Sequence, residues 1–227
     1  MVFLYIGCDG MPIYVLIFFF LINLVPSVRR FLRITSTMFH ELGHALMALL
    51  CSGKLHRIYL YQNGSGAAIT SNSNWLSRFL TSIAGYPFEV FIVLLFTVLM
   101  SFNKIEVLLY ILFGTTLFSL LFIRNLFGWL WVIIIGSLSV FALVGTSPTW
   151  VFYFAFFLVA NMMVETIYSS VSICWQSYKY PKNAGDATSL AHLTKLPALL
   201  WGVLFLGFTI YVLILASPYV FSIKMPI

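Results

Sequence analysis

The fold class predicted for this chain is an all-α polytopic membrane protein of about six to seven transmembrane helices, with a small β-hairpin between the second and third. Three observations predict it. Hydrophobic residues make up 62% of the 227 positions and charged residues only 8%, whereas soluble domains carry roughly 45–50% and 25%. The surplus of apolar surface needs lipid to face. The apolar residues also fall into runs of spanning length: Met11–Pro26, Leu32–Cys51, Leu76–Phe102, Ile105–Ile123, Leu126–Val144, Thr149–Cys174 and Leu196–Ser217. Short polar segments such as Asn103-Lys104 and Arg124-Asn125 separate these runs, and one longer stretch, Gln176–Lys195, precedes the last.

The first run is short, and Asp9 with no basic segment before it argues for a retained helix rather than a cleaved leader. Asp9 itself reads as a surface charge. The net charge of +6 comes from Lys and Arg at the ends of apolar runs, where they anchor helices to headgroups. It is no nucleic-acid signal. If all seven runs span, the basic residues divide five against seven between the two sides, too evenly to set an orientation. Cys8, Cys51 and Cys174 are scattered and odd in number, so no disulfide framework or paired-thiolate site is expected. No repeat and no soluble segment is evident, and residues 1–227 read as a single membrane-embedded domain.

Between the second and third runs the pattern changes. His56–Tyr61 is rich in aromatic and β-branched residues, Asn63-Gly64-Ser65-Gly66 follows, and Ala67–Thr70 comes next. Asn-Gly supplies the positive φ angles of a tight turn, so a β-hairpin is expected. Its edges cannot lie bare against lipid and must meet the interface or other helices.

The chemistry concentrates in His40-Glu41-Leu42-Gly43-His44, inside the second run. Histidines four apart are stacked neighbours on a helix, with Cβ atoms about 5–6 Å apart. Both rings therefore reach one zinc ion at roughly 2.0–2.1 Å. Glu41 is rotated about 100° from His40, where it serves better as a base toward water than as a ligand. Three ionisable groups in five residues of a spanning helix are costly unless metal, water or mutual pairing compensates them. Gly43 thins the helix where a neighbouring backbone approaches.

A third protein ligand must come from few acids. Glu106 lies at a helix boundary, as a solvated end. Asp186, between Gly185 and Ala187, is either a ligand or the N-cap of a helix Ala187–Leu193, and residue chemistry leaves the two level. Glu89 and Glu165 lie within apolar runs. Each can be a ligand, a partner for a metal-bound imidazole, part of a water-lined path, or a carboxyl that is simply neutral or paired with a basic group. His56 and His192 read as surface or packing histidines, and Asn125 as an interfacial polar cap.

At this point the chain resembles the site-2 protease-type intramembrane zinc metallopeptidases, in the small branch without PDZ or CBS domains. Four segments carry the resemblance: Phe39–Ala45, Asn63–Gly66, Ala84-Gly85-Tyr86-Pro87, and Gly185–Pro197 with its Gly-Asp-Ala start. It implies zinc held by His40, His44 and Asp186, with Glu41 as the general base in peptide-bond hydrolysis at the membrane. It also implies that the hairpin edge takes an unfolded substrate segment by strand addition. Asn63, Gly64, Gly85 and Glu89 are the substrate-facing residues on this view. Two features depart from the pattern. No Asp-Gly motif preceded by Asn and Pro is present, and Pro87-Phe88-Glu89 stands where the branch carries small residues.

The expected partners are a membrane-protein or peptide substrate and the lipid bilayer, with no nucleic acid, and the expected place is the cell membrane. Two other functions fit the same residues: a non-catalytic binding protein on a peptidase-like scaffold, or a transporter relaying protons or ions through His40, Glu41, Glu89 and Glu165. An intact Glu41 argues against the first, and the lack of an inverted repeat against the second.

Overall fold

The computed structural model describes residues 13–145 and 147–224. Asp9 and the start of the first apolar run lie outside them. In chain order the elements are α1 (Ile13–Ile22), α2 (Pro26–Leu32), α3 (Ile34–Leu50), β1 (Lys54–Leu60), β2 (Gly66–Ser71), α4 (Trp75–Ser101), α5 (Ile105–Phe122), α6 (Leu126–Gly145), α7 (Pro148–Lys179), α8 (Gly185–Thr194) and α9 (Ala198–Ser222).

Among the described residues five helices are long and apolar enough to cross a membrane: α4, α5, α6, α7 and α9. Their outward positions carry large apolar side chains such as Leu121, Leu126, Ile214 and Phe221, as lipid requires. The protein is an integral, multi-pass membrane protein. The six to seven expected spans differ from these five at the N-terminal end. The first run becomes α1, and the basic segment after it forms the short α2, which starts at Pro26 and so uses proline where its missing N–H is harmless. The second run becomes α3, whose 17 residues extend about 26 Å. Twelve of those residues are buried, so α3 is the central helix of the bundle rather than one of its lipid-facing staves.

Small residues set the closest packing around α3. A Cβ on Gly43 would stand 2.7 Å from Phe88 Cβ and 2.9 Å from the Ala84 carbonyl oxygen. The crossing of α3 and α4 therefore depends on Gly43, Ala84 and Gly85 together. The main core gathers Phe39, Leu42, Phe96, Leu109, Val132 and Val159 from five helices. A second cluster seats α8 against α9 through Leu190, Trp201 and Phe205.

The hairpin forms where Asn-Gly predicts it. Gly64 has φ +80°, and Asn63 Oδ1 accepts hydrogen bonds from the Ser65 backbone N–H and hydroxyl. The strands are antiparallel with Leu60 opposite Gly66 and Lys54 opposite Ser71, and the register shifts between Leu55 and Arg57. The outer edge of β1 is closed by the α5–α6 connection. Ile58 bridges to Ile123, the Arg124 N–H donates to the Ile58 carbonyl, and the Asn125 carboxamide bonds both the N–H and the C=O of Leu60. Asn125, expected as an interfacial cap, thus completes the sheet.

Candidate metal centre

His40 and His44 project from the same face of α3, one turn apart. Asp186 approaches them from the first turn of α8, which begins at Gly185 with φ +51°. The N-cap position of α8 is Ala184, and no side chain caps it. The N-cap role weighed for Asp186 is therefore not the one adopted. Thr188 secures the preceding loop instead, accepting from the Ala184 N–H and donating to the Pro181 carbonyl.

His40 Nε2 stands 3.1 Å from His44 Nε2 and 3.1 Å from Asp186 Oδ2, and His44 Nε2 stands 3.3 Å from the same oxygen. Three ligands about 2.0–2.1 Å from a tetrahedral zinc would lie roughly 3.3–3.4 Å from one another. The triangle is thus of the size a zinc ion requires. Among the described residues these three form the one group of histidine, cysteine or carboxylate side chains assembled to hold a metal.

The surroundings aim the rings. His44 Nδ1 lies 2.7 Å from the Thr81 carbonyl oxygen, which can only accept. The proton therefore sits on Nδ1, and the Nε2 lone pair faces the triangle. His40 Nδ1 is 3.6 Å from Glu89 Oε2, a carboxylate behind an imidazole in the manner that orients metal-binding rings. The ring of Tyr86 meets that of His40 edge-on at 4.6 Å. Burial by itself would raise the Asp186 carboxyl, but His44 and His40 beside it outweigh this and hold it below the ordinary carboxylate range.

Gly85 leaves the space in which the rings converge. A Cβ there would stand 2.6 Å from His40 Cε1 and 2.6 Å from His44 Nε2. Gly85→Ala is expected to splay the rings and lower zinc affinity by about 10–100-fold, as loss of a ring-orienting contact does. A competitive chelator titration of the purified protein measures this.

Glu41 is buried and lies against the hairpin. A Cβ on Gly66 would meet Glu41 Cγ and Oε1 at 2.7 Å. Both residues line a cavity of about 460 Å³, which also takes in His40, His44, Tyr86 and Asp186. Ala67, Ala68 and Thr70 of β2 form one of its walls.

The other candidates fall elsewhere. Glu89 faces the cavity behind His40. Asn63 and Gly64 shape the turn outside the cavity, where the Thr37 hydroxyl donates to the Gly64 carbonyl. Gly85 spaces the rings from the α4 side. Glu165 borders the cavity but pairs with Arg29 and Arg33, the basic partner weighed for it. His56 is exposed, near Ser71, and His192 is exposed on α8. Glu106 is exposed in the first turn of α5. The Thr81 carbonyl escapes sequence reasoning because every residue has one, and only the fold selects it.

The fold and the site together define a multi-pass membrane protein with two histidines and one carboxylate poised to hold a metal beside a buried glutamate. A family model described as Peptidase M50B-like matches residues 12–216. The chain belongs to that family. No curated protein and no solved structure matches it.

Proposed function

We propose that this protein is a zinc-dependent intramembrane endopeptidase. The triangle formed by His40, His44 and Asp186 at the edge of a cavity shared with Glu41 carries the proposal, and membership of a peptidase family supports it. The residues fit zinc by donor type, by spacing and by the missing Cβ at Gly85, which lets both rings converge. When bound, zinc would acidify a water molecule and polarise the scissile carbonyl.

The remaining chemistry belongs to the chain. Glu41 takes a proton from the attacking water as its oxygen bonds to the carbonyl carbon. It delivers that proton to the amine nitrogen as the C–N bond breaks. Thr81 and Glu89 hold the two imidazoles in place. The substrate lies extended, because a helix turns its carbonyls into its own hydrogen bonds. Among the described residues Ile123–Asn125 occupy the edge of β1 at Ile58 and Leu60, so strand addition falls to β2, which lines the cavity.

The test is a pool of synthetic peptides incubated with detergent-purified protein that has been stripped of metal and reloaded. Cleavage is expected with zinc, lost on chelation and restored by zinc. A fully zinc-loaded protein that cleaves nothing would remove the proposal. Pairing of Glu165 with two arginines takes that carboxylate out of the ion relay considered above.

A further inference from the structure

We infer that Arg33, with Ser36 one turn further along α3, selects substrate segments carrying an acidic residue about three positions from the cleaved bond. The inference rests on the peptidase reading and adds the class of segment cut.

Arg33 sits where α2 meets α3, its stem packed beneath the hairpin turn at Gly64. Its Nε lies 3.3 Å from Glu165 Oε1. That carboxylate, however, is already held at both oxygens by Arg29, Nε to Oε2 at 3.0 Å and Nη2 to Oε1 at 3.2 Å. Two guanidiniums thus meet one carboxylate, and a positive charge is left over on this wall. Among the described residues the Arg33 side chain makes no hydrogen bond, and its buried Nε has no hydrogen-bond partner. Ser36 is 1% exposed, and its hydroxyl also has no partner. Ser36 is three residues beyond Arg33, so the two share a helix face. Both line the cavity that contains His40 and Glu41.

A buried hydroxyl without an acceptor is costly, and so is a guanidinium whose charge is only partly matched. A carboxylate entering the cavity would pair with the terminal guanidinium nitrogens of Arg33, which make no hydrogen bond among the described residues, and would lie on the side of α3 that carries Ser36. Because Arg33 and Ser36 line the cavity, the acid they fit is part of the bound segment.

Its position follows from the geometry of β2, which runs beside α3 in the same direction. Gly64 lies over Arg33, Gly66 over Thr37 and Glu41, and Ser71 beside Gly53, which packs on Ala48. A strand added to β2 follows α3. Arg33 precedes His40 by seven residues, about 10 Å along a helix. At about 3.3 Å per extended residue, that distance is roughly three residues.

The experiment uses the zinc-loaded, full-length protein in detergent with a pool of randomised synthetic peptides, the products being read by mass spectrometry. Asp and Glu should be enriched about three positions from the cut, with kcat/KM about tenfold lower for the matching Asn and Gln peptides. Arg33→Gln should erase the difference between acid and amide peptides, and Arg33→Glu should invert it in favour of Lys. Ser36→Ala should reduce it. Arg33→Lys, which keeps the charge beside Glu165, should retain the preference and guards against misfolding in the reversed variant. A wild type without acid enrichment, or Arg33 variants that slow all peptides alike with the ratio unchanged, would overturn the inference. A zinc-loaded wild type that cuts no peptide removes the peptidase reading and this inference with it.

Discussion

Glu41→Gln is expected to keep its full metal content and to lose peptide hydrolysis by about 10³–10⁴-fold, near the upper end of what one positioned base contributes. The substitution preserves the volume that packs against Gly66 and Thr37, so the fold should persist. It removes the carboxylate proposed to accept and return the proton, and the other acids of the cavity are engaged elsewhere. Asp186 and Glu89 line the same cavity, but the first is drawn toward both imidazoles and the second sits behind His40. Metal analysis and peptide turnover on one preparation check the result. Retained activity in a metal-loaded Glu41→Gln protein would take the base role away from Glu41.

Asp186→Ala is expected to lower zinc affinity by more than about 100-fold, since loss of a group that merely orients a ligand already costs 10–100-fold. It removes the charged corner of the triangle and leaves two neutral imidazoles in a buried site. Structure should survive, because α8 is seated by Leu190, Ala187 and Ala184 and its preceding loop is held by Thr188. Zinc content after dialysis against a weak chelator, with helicity followed in parallel, separates the two effects. A well-folded Asp186→Ala protein that retains zinc at wild-type affinity would mean that the aspartate is no ligand.

How much of this was legible in the sequence depends on distance along the chain. His40 and His44 are set by one helical turn, and a five-residue motif contains all the geometry required. The hairpin was legible for the same reason, because Asn63 and Gly64 impose the turn locally. Asp186 is 146 residues from His40. Spacing alone left it level with an N-cap, and only the resemblance favoured it. Arg29 and Glu165, 136 residues apart, could be foreseen only as a buried acid in want of a basic partner. Hydropathy also misplaced an end. The sixth run stops at Cys174, whereas α7 continues to Lys179, because a helix that passes out of the lipid can go on with polar residues. The two runs beyond the five long helices form α1, with 10 described residues, and α3, with 17, each short of the roughly 20 that a full span needs.

The closed edge of β1 has a bearing on how copies of this protein tolerate one another in a crowded bilayer. An unpaired strand invites pairing with its like, and a two-stranded sheet offers two such margins. Here one margin is capped by a neighbouring carboxamide, and the other borders the cavity beside Glu41. Collisions between molecules therefore meet, at Ile58 and Leu60, backbone groups that are already paired and cannot nucleate fibrils or swapped dimers. Among the described residues the margin left to template a strand is the one that borders the cavity holding Glu41.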